Sequence, residues 1–219
     1  MEPPRTHQRG PGVLRGEDCV LVLVDYQNDW VKGFHESYRD LARAIADRGV
    51  VRNAMAMVAS ARSLGIPVVH LRAHRRLDYA DIRNVVTDAV LSGERRPNRE
   101  ILIAREGTPG AEFVDELRPQ PEDFVVTKPR RDAWYNSPLE GYLRALQRDT
   151  LIVGGVATNL AVEAVVRGAN DRDYNVVVLE DCCAAWPIEA HEYAVRKLFP
   201  AWARVMMSHH AIELLRDGR

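Results

Sequence analysis

The chain has 219 residues, a length that suits a single α/β domain, and 46% of them are hydrophobic, enough to bury a sizeable core. It carries 30 Lys and Arg against 31 Asp and Glu, a net charge of −1. This balance gives no electrostatic attraction to nucleic acid or to an anionic membrane surface. We therefore expect a small-molecule substrate or a protein partner, with no nucleic acid and no membrane.

The three cysteines are Cys19, Cys182 and Cys183. An odd number with two adjacent does not make a disulfide framework, so a reducing, cytoplasmic location is expected. Residues 1–16 are rich in Pro, Gly and Arg and lack the apolar centre of a signal peptide. We predict a flexible N-terminal tail over 1–16 and one domain over 17–219, with no apolar run near the ~20 residues of a membrane span.

Short apolar runs alternate with longer helical patterns along the chain. Strands are predicted at 19–25, 66–72, 123–128, 150–157, 174–181 and 203–208. Helices are predicted at 38–64 with a break near Gly49, from about 137 to 146, at 158–170, at 187–199 and at the end of the chain. Residues 74–110 are polar and irregular, as in a loop or lid over a site.

This alternation predicts a three-layer, doubly wound α/β fold: a six-stranded, mostly parallel sheet with helices on both faces, Rossmann-like in type. Ligands of such sheets bind at the carboxyl ends of the strands. Those ends carry Asp25, Lys128, the turn at 157–161 and Asp181. Asp181 is interpreted as orienting a neighbouring turn rather than doing chemistry.

An acid at the end of an apolar strand is costly unless it is paired or hydrogen-bonded. Asp25 is therefore either a general acid or base, or a carboxylate that accepts loop N–H groups. Lys128 is either a cation that pairs with Asp25 and stabilises developing negative charge, or a surface lysine at a strand end.

The third segment of interest is GGVATNLAVEAVVR, residues 154–167. Two glycines late in a strand allow a close approach of backbone or ligand. The chain then turns into a helix with Thr158 as a plausible cap, and the unpaired N–H groups of its first turn can hold an oxyanion. The alternative is an ordinary strand-to-helix loop.

Together these segments resemble the isochorismatase-like hydrolases, also called the cysteine hydrolase superfamily. The resemblance runs from about Cys19 to about Leu215. It is carried by LVLVDYQNDW, GTPGAEFVDEL, PQPEDFVVTKPR, WYNSPLEGYLR, GGVATNLAVEAVVRGA, VVVLEDCCAA and a following EAH, in the order and spacing of the family.

The resemblance implies a role for each segment. Asp25 corresponds to the catalytic aspartate and Lys128 to the catalytic lysine. The Val156–Ala157 bond corresponds to a non-proline cis peptide, and the amides of Ala157 and Ala161 to an oxyanion hole. Many members carry a nucleophilic cysteine where this chain has Ala161, and a methyl group cannot attack a carbonyl.

Three explanations for Ala161 compete. We favour a natural branch in which water is the nucleophile, Asp25 is the general acid or base and Lys128 is its electrostatic partner. The others are a cysteine amidohydrolase inactivated by a Cys-to-Ala change, and a pseudoenzyme that binds a ligand without turnover. The expected reaction is cleavage of an amide or carbamoyl C–N bond or a vinyl-ether C–O bond. The segment KPRRDAWYNS after Lys128 is closer to the amide-cleaving branch.

Five side chains near these segments are candidates for substrate binding. Trp30, Trp134 and Tyr135 could form the wall of a pocket, or pack under a loop. Of Arg130 and Arg131, which follow Lys128, one could bind a substrate carboxylate, although solvated surface is the ordinary interpretation. By resemblance, a homodimer or homotetramer is expected.

His70 and His74 are four residues apart, so a metal pair is conceivable. No third ligand stands out, and the Asp-x-His pattern of the metal site in nicotinamidases is absent. We therefore expect no metal and no cofactor.

Overall fold

The computed structural model describes residues 13–86 and 103–218. Its sheet has six parallel strands in the order β3-β2-β1-β4-β5-β6. The strands are β1 (Cys19–Val24), β2 (Val68–Ala73), β3 (Phe124–Lys128), β4 (Thr150–Val156), β5 (Asn175–Ala184) and β6 (Arg204–Met206). The predicted doubly wound α/β class is confirmed, with every strand pair parallel.

The helices in the described ranges are α1 (Asn28–Val31), α2 (Arg39–Asp47), α3 (Val50–Ser63), α4 (Leu139–Leu146), α5 (Glu163–Asn170), α6 (Ile188–Tyr193) and α7 (Ser208–Asp217). Gly49, at a φ of 64°, separates α2 from α3, as the predicted break required. Two π-helical segments, Thr158–Val162 before α5 and Ala194–Leu198 after α6, take up parts of the predicted helices.

Strand β1 is buried along its whole length, which explains its continuous apolar sequence. Leu21 and Leu23 face a core built with α2, α3 and α7. Val20, Val22 and Val24 face a second core built with α4 and α5. Because successive side chains of a strand point to opposite faces, β1 contributes to both cores. Asp25, the next residue, lies at the carboxyl end of the strand.

The predicted tail lies mostly in residues 1–12, outside the described ranges. Leu14 is fully buried in the first core, and the Val13 carbonyl accepts a hydrogen bond from Arg204, so the packed chain includes residues placed in the predicted tail. Of the predicted irregular stretch, 87–102 lies outside the described residues, and Arg75 and Arg105 form a parallel bridge within the rest. None of the described helices has the length and apolar character needed to cross a membrane.

We expect Gly155→Ala to lower the free energy of unfolding by about 3 kcal/mol, because overpacking of a tight core is costly. Gly155 has a φ of 152°, and a Cβ there would overlap the carbonyl oxygen of Val24 on β1. Urea denaturation measures the change. Gly141→Ala on α4 is the control: apart from its chain neighbours and the backbone of its own helix, no described atom lies within 4 Å of its Cβ position, and alanine should be neutral or stabilising. An unchanged midpoint for Gly155→Ala would contradict the packing argument.

Candidate active site

The carboxyl edge of the sheet brings Asp25 and Lys128 together. Asp25 follows β1 and Lys128 ends β3, with β2 lying between the two strands. The Lys128 Nζ donates to Asp25 Oδ2 at 2.8 Å, and the two residues are only 1% and 4% exposed. Asp25 adopts a left-handed backbone with a φ of 55°, which is uncommon outside glycine. The pair is therefore a buried ion pair formed by residues 103 positions apart.

Burial changes the ionisation of the Asp25 carboxyl group and leaves one of its oxygens without a partner among the described residues. Burial raises its pKa above the ordinary value of 3.8, and the Lys128 ammonium opposes part of that rise. Its Oδ1 is buried and accepts no hydrogen bond from a described residue. Because Asp25 lines a cavity, a water or substrate bound there would satisfy this oxygen.

The turn that leaves β4 lines the same cavity as the pair. The Val156–Ala157 peptide bond is cis, and the chain then enters the π segment Thr158–Val162. The Ala157 carbonyl accepts from the amides of Leu160 and Val162, at 3.1 and 3.3 Å. Ala161 is buried and lines the cavity together with Val156 and Ala157. The cavity surface at residue 161 is thus a methyl group, where the resemblance predicts the nucleophile position of the family.

The cavity has a volume of about 420 Å³, which suits a small organic molecule. The large apolar side chains of its lining are those of Trp30, Tyr38, Leu41, Ile82, Ile103 and Leu160. Trp30 and Tyr38 meet edge to face with ring centroids 6.0 Å apart. Arg75, Arg130 and Arg131 supply cationic groups, so the cavity is suited to a ligand with both apolar and anionic parts.

Three of the five predicted substrate-binding side chains, Trp30, Arg130 and Arg131, line this cavity. Trp134 and Tyr135 do not line it, so the prediction that these two side chains form a wall of the pocket differs from the structure. The Trp134 amide binds Asp132 Oδ1, and its indole donates to the Val165 carbonyl at 3.1 Å, which turns the ring onto α5 in the second core. Tyr135 is 59% exposed to solvent.

The three arginines differ in how their donors are used. Arg75, just after β2, donates to the carbonyls of Pro129 and His74, and burial lowers its pKa. Arg130 donates to the carbonyls of Pro129 and Asp81. Arg131 makes no hydrogen bond or ion pair with any residue in the described ranges. Its guanidinium is the one best able to bind a ligand.

The sequence interpretation did not select Arg75 or Gln27. The side-chain amide of Gln27 donates to the Ala73 and Ala111 carbonyls and accepts from the Ala73 amide, at 3.0, 2.6 and 2.8 Å. This contact fixes the end of β2 next to Asp25. Arg75 lies two residues beyond β2, so the strand-end rule that selected Asp25 and Lys128 applies to it equally.

His70, one of the two histidines considered as metal ligands, has structural contacts instead. His70 is buried on β2, where its Nε2 lies 3.2 Å from Asp123 Oδ2 and its ring packs against Phe113. Arg62 and the Gln120 amide bind the same carboxylate. Among residues 13–86 and 103–218, no group of three or more His, Cys, Asp or Glu side chains could hold a metal ion.

Comparison with known proteins identifies the family. A family model described as the isochorismatase domain matches residues 19–210. The chain belongs to the isochorismatase family. Its sequence is 35% identical over 198 residues to a ureidoacrylate amidohydrolase, RutB, of Methylorubrum extorquens, covering 86% of this chain and 79% of the relative. The RutB protein of Acinetobacter baylyi is 29% identical over 200 residues, covering 86% and 81%.

Solved structures give the same result for the fold. A cysteine hydrolase from Pseudomonas syringae pv. phaseolicola superposes with a TM-score of 0.80 at 23% identity, covering 96% of this chain and 97% of the other. The N-carbamoylsarcosine amidase of Thermoplasma acidophilum superposes with a TM-score of 0.67 at 27% identity, covering 87% and 96%. The predicted superfamily is confirmed, and the protein is an isochorismatase-family hydrolase.

Proposed function

We propose that this hydrolase cleaves the C–N bond of an amide or carbamoyl group in a small anionic compound, with water as the nucleophile. The observation that carries the proposal is the buried Asp25–Lys128 pair on the same cavity as the turn at Ala157 and Ala161. The RutB relatives are named ureidoacrylate amidohydrolases and the Thermoplasma neighbour an N-carbamoylsarcosine amidase, and both names denote C–N cleavage, which favours this reaction over vinyl-ether cleavage.

In the proposed mechanism, Asp25 acts first as a base. Its unpartnered Oδ1 takes a proton from a water molecule as that water attacks the carbonyl carbon. The carbonyl oxygen becomes an oxyanion, which the amides of Ala157 and Ala161 stabilise. Asp25 then returns the proton to the leaving nitrogen, and the C–N bond breaks to give an amine and an acid. Asp25 ends in the charge state in which it began.

Lys128 keeps this proton transfer feasible. A buried carboxylate alone would be held protonated by its desolvation, and a protonated carboxyl cannot accept a proton from water. The ammonium 2.8 Å from Oδ2 favours the ionised form and leaves Oδ1 free to act. Lys128 therefore sets the ionisation of Asp25 and stabilises negative charge that develops beside it.

The anionic part of the substrate is inferred from the cavity wall. Three arginines line the cavity with two aspartates, of which Asp25 is paired with Lys128 and Asp132 accepts from the Trp134 amide, so the described lining carries more positive than negative charge. The net positive lining would attract a carboxylate. Because the donors of Arg75 and Arg130 bind backbone carbonyls, Arg131 is the proposed main contact for that carboxylate.

A substrate panel tests the reaction directly. The purified protein is incubated with N-carbamoyl amino acids, ureidoacrylate, their neutral primary-amide counterparts and isochorismate, and ammonia and pyruvate release are followed. We expect ammonia from the anionic carbamoyl compounds and little turnover of the neutral amides. Pyruvate from isochorismate without ammonia from any amide would replace the proposed C–N reaction by C–O cleavage.

We expect Arg131→Gln to raise KM for the best anionic substrate by about tenfold, while kcat changes less than threefold, since a lost charge-assisted hydrogen bond costs about 1.5–3 kcal/mol. Steady-state kinetics measure both constants. Arg43→Gln on α2 is the matched control, because Arg43 is exposed and pairs only with Asp40 in the described chain. An unchanged KM in Arg131→Gln, or an equal rise in Arg43→Gln, would contradict the carboxylate contact.

The second candidate is a binding protein without turnover. The observation that favours it is the methyl group of Ala161 at the position where relatives of the cysteine hydrolase type have their nucleophile. Isothermal calorimetry that detects tight binding of a panel compound without ammonia or pyruvate release would support this candidate.

A homodimer or homotetramer stays a prediction.

A further inference from the structure

A buried histidine that does not line the cavity contacts Thr158, the residue that follows Ala157 in the turn at 157–161. His191, on α6, is fully buried, and its Nδ1 lies 2.8 Å from Thr158 Oγ1. Its other ring nitrogen, Nε2, lies 2.8 Å from a guanidinium nitrogen of Arg48, at the end of α2. Neither His191 nor Arg48 takes part in the proposed mechanism.

These contacts determine the tautomer of the imidazole. A guanidinium can only donate hydrogen bonds, so His191 Nε2 must be the acceptor and carry no proton. The ring proton then sits on Nδ1, which donates to the Thr158 hydroxyl. Burial, with the neighbouring charges of Arg48 and Arg196, lowers the pKa of His191 to about 4, so the ring is neutral near pH 7.

The contact with His191 matters because Thr158 lies in the turn that lines the cavity. Thr158 directly follows Ala157, and its side chain does not cap the helix; it points to α6 instead. The segment it opens has π-type hydrogen bonds, which are less common than α-helical ones and are often found at functional sites. Two glycines precede the segment on β4. An external anchor on the buried threonine limits how far this turn can shift relative to Asp25.

We propose that His191 is a positioning residue: through its Nδ1–H bond to Thr158 it holds the turn at 157–161 in place, and Arg48 selects the tautomer that makes this bond. The structural part of this inference stands without the proposed function. Its consequence for catalysis rests on the proposed oxyanion role of the Ala157 and Ala161 amides.

The tautomer is tested by NMR on protein labelled with ¹⁵N-histidine. The His191 signals are identified by their loss in His191→Asn. At pH 7 we expect Nδ1 to show the shift of a protonated ring nitrogen and Nε2 that of an unprotonated one. A proton on Nε2, whether in the opposite tautomer or in a charged ring, would overturn the inference.

The anchoring is tested by hydrogen–deuterium exchange of peptides that cover 156–163. We expect Thr158→Val and His191→Leu to speed exchange there by at least tenfold. His191→Asn should retain most protection, because its amide nitrogen can replace Nδ1 as the donor. Thr150→Val is the matched control, a buried threonine at the opposite end of β4. Unchanged exchange in Thr158→Val, or the same increase in Thr150→Val, would refute the anchor.

Kinetics on the best panel substrate separate positioning from a general loss of stability. We expect kcat to fall about 10- to 100-fold in Thr158→Val and His191→Leu with KM within threefold, since small misplacements of catalytic groups are costly. His191→Asn should recover most of kcat. A protein inactive on the panel would remove the proposed function but leave the NMR and exchange tests decisive, whereas an active enzyme with unchanged kcat in Thr158→Val would contradict the catalytic part alone.

Discussion

Asp25→Asn should abolish hydrolysis, lowering kcat/KM for the best panel substrate by at least about 1,000-fold. The substitution keeps the shape of the side chain but replaces the unpartnered Oδ1 with a group that cannot take a proton from water at neutral pH. It also removes the charge beside Lys128. Ammonia release under single-turnover conditions measures the loss, and binding of substrate to the variant shows that the cavity persists.

The substitution will also reduce stability, because removal of one partner leaves the Lys128 ammonium buried and uncompensated. Asp181→Asn is the control for this effect. Asp181 is a buried carboxylate whose oxygens accept from the amide and hydroxyl of Ser208 at the start of α7, each at 2.7 Å. We expect it to lose stability but retain activity at a temperature where both variants are folded. Turnover by Asp25→Asn within tenfold of wild type would exclude Asp25 as the proton carrier.

The fall of kcat/KM at low pH should reflect the protonation of Asp25. A base must be ionised, so activity falls as pH falls through the pKa of Asp25. Burial raises that pKa, so the loss of kcat/KM should begin at a pH higher than an exposed aspartate with a pKa of 3.8 would give.

The positions of the strands, and of the charged residues at their ends, could be predicted from the sequence because burial restricts which side chains a strand can carry. A strand covered on both faces must be apolar throughout, as Cys19–Val24 is, so a charge that follows it marks the edge of the sheet. Lys128 also ends its strand, although β3 lies at the edge of the sheet and is only partly buried, so there the charge at the strand end was the signal. Because all strands are parallel, these edges coincide, and the pairing of Asp25 with Lys128 follows from topology.

Side-chain direction in loops could not be read in the same way. Trp134 and Arg131 are three positions apart, yet the hydrogen bond from the Trp134 amide to Asp132 turns the indole to α5, and Arg131 stays on the cavity. No hydrophobic period specifies such a turn. Local pattern equally favoured Thr158 as a helix cap, but its partner is His191, 33 residues away, a contact that only the packed helices create.

Ala161→Cys should create a reactive thiol at the cavity wall. We expect rapid alkylation by iodoacetamide at position 161 alone, at least about 100-fold faster than any native cysteine. A thiol in this first helical turn lies near the positive end of the helix dipole and near Lys128, and both lower its pKa. Cys19, Cys182 and Cys183 are buried, and burial raises the pKa of Cys182 and raises that of Cys183 to about 12. Intact-protein mass spectrometry counts the modifications, with wild type as the unlabelled control.

The same variant separates the explanations for Ala161. If water is the native nucleophile, wild type turns over the panel substrate, and Ala161→Cys adds a covalent acyl adduct that acid quenching traps. If cysteine was the original residue, wild type is inactive and the variant gains turnover through that adduct. Adding Asp25→Asn should slow adduct formation, because the carboxylate on the same cavity is the proposed acceptor of the thiol proton. Alkylation no faster than at the buried cysteines would mean that residue 161 does not face the cavity in solution, and the proposed geometry would then be wrong.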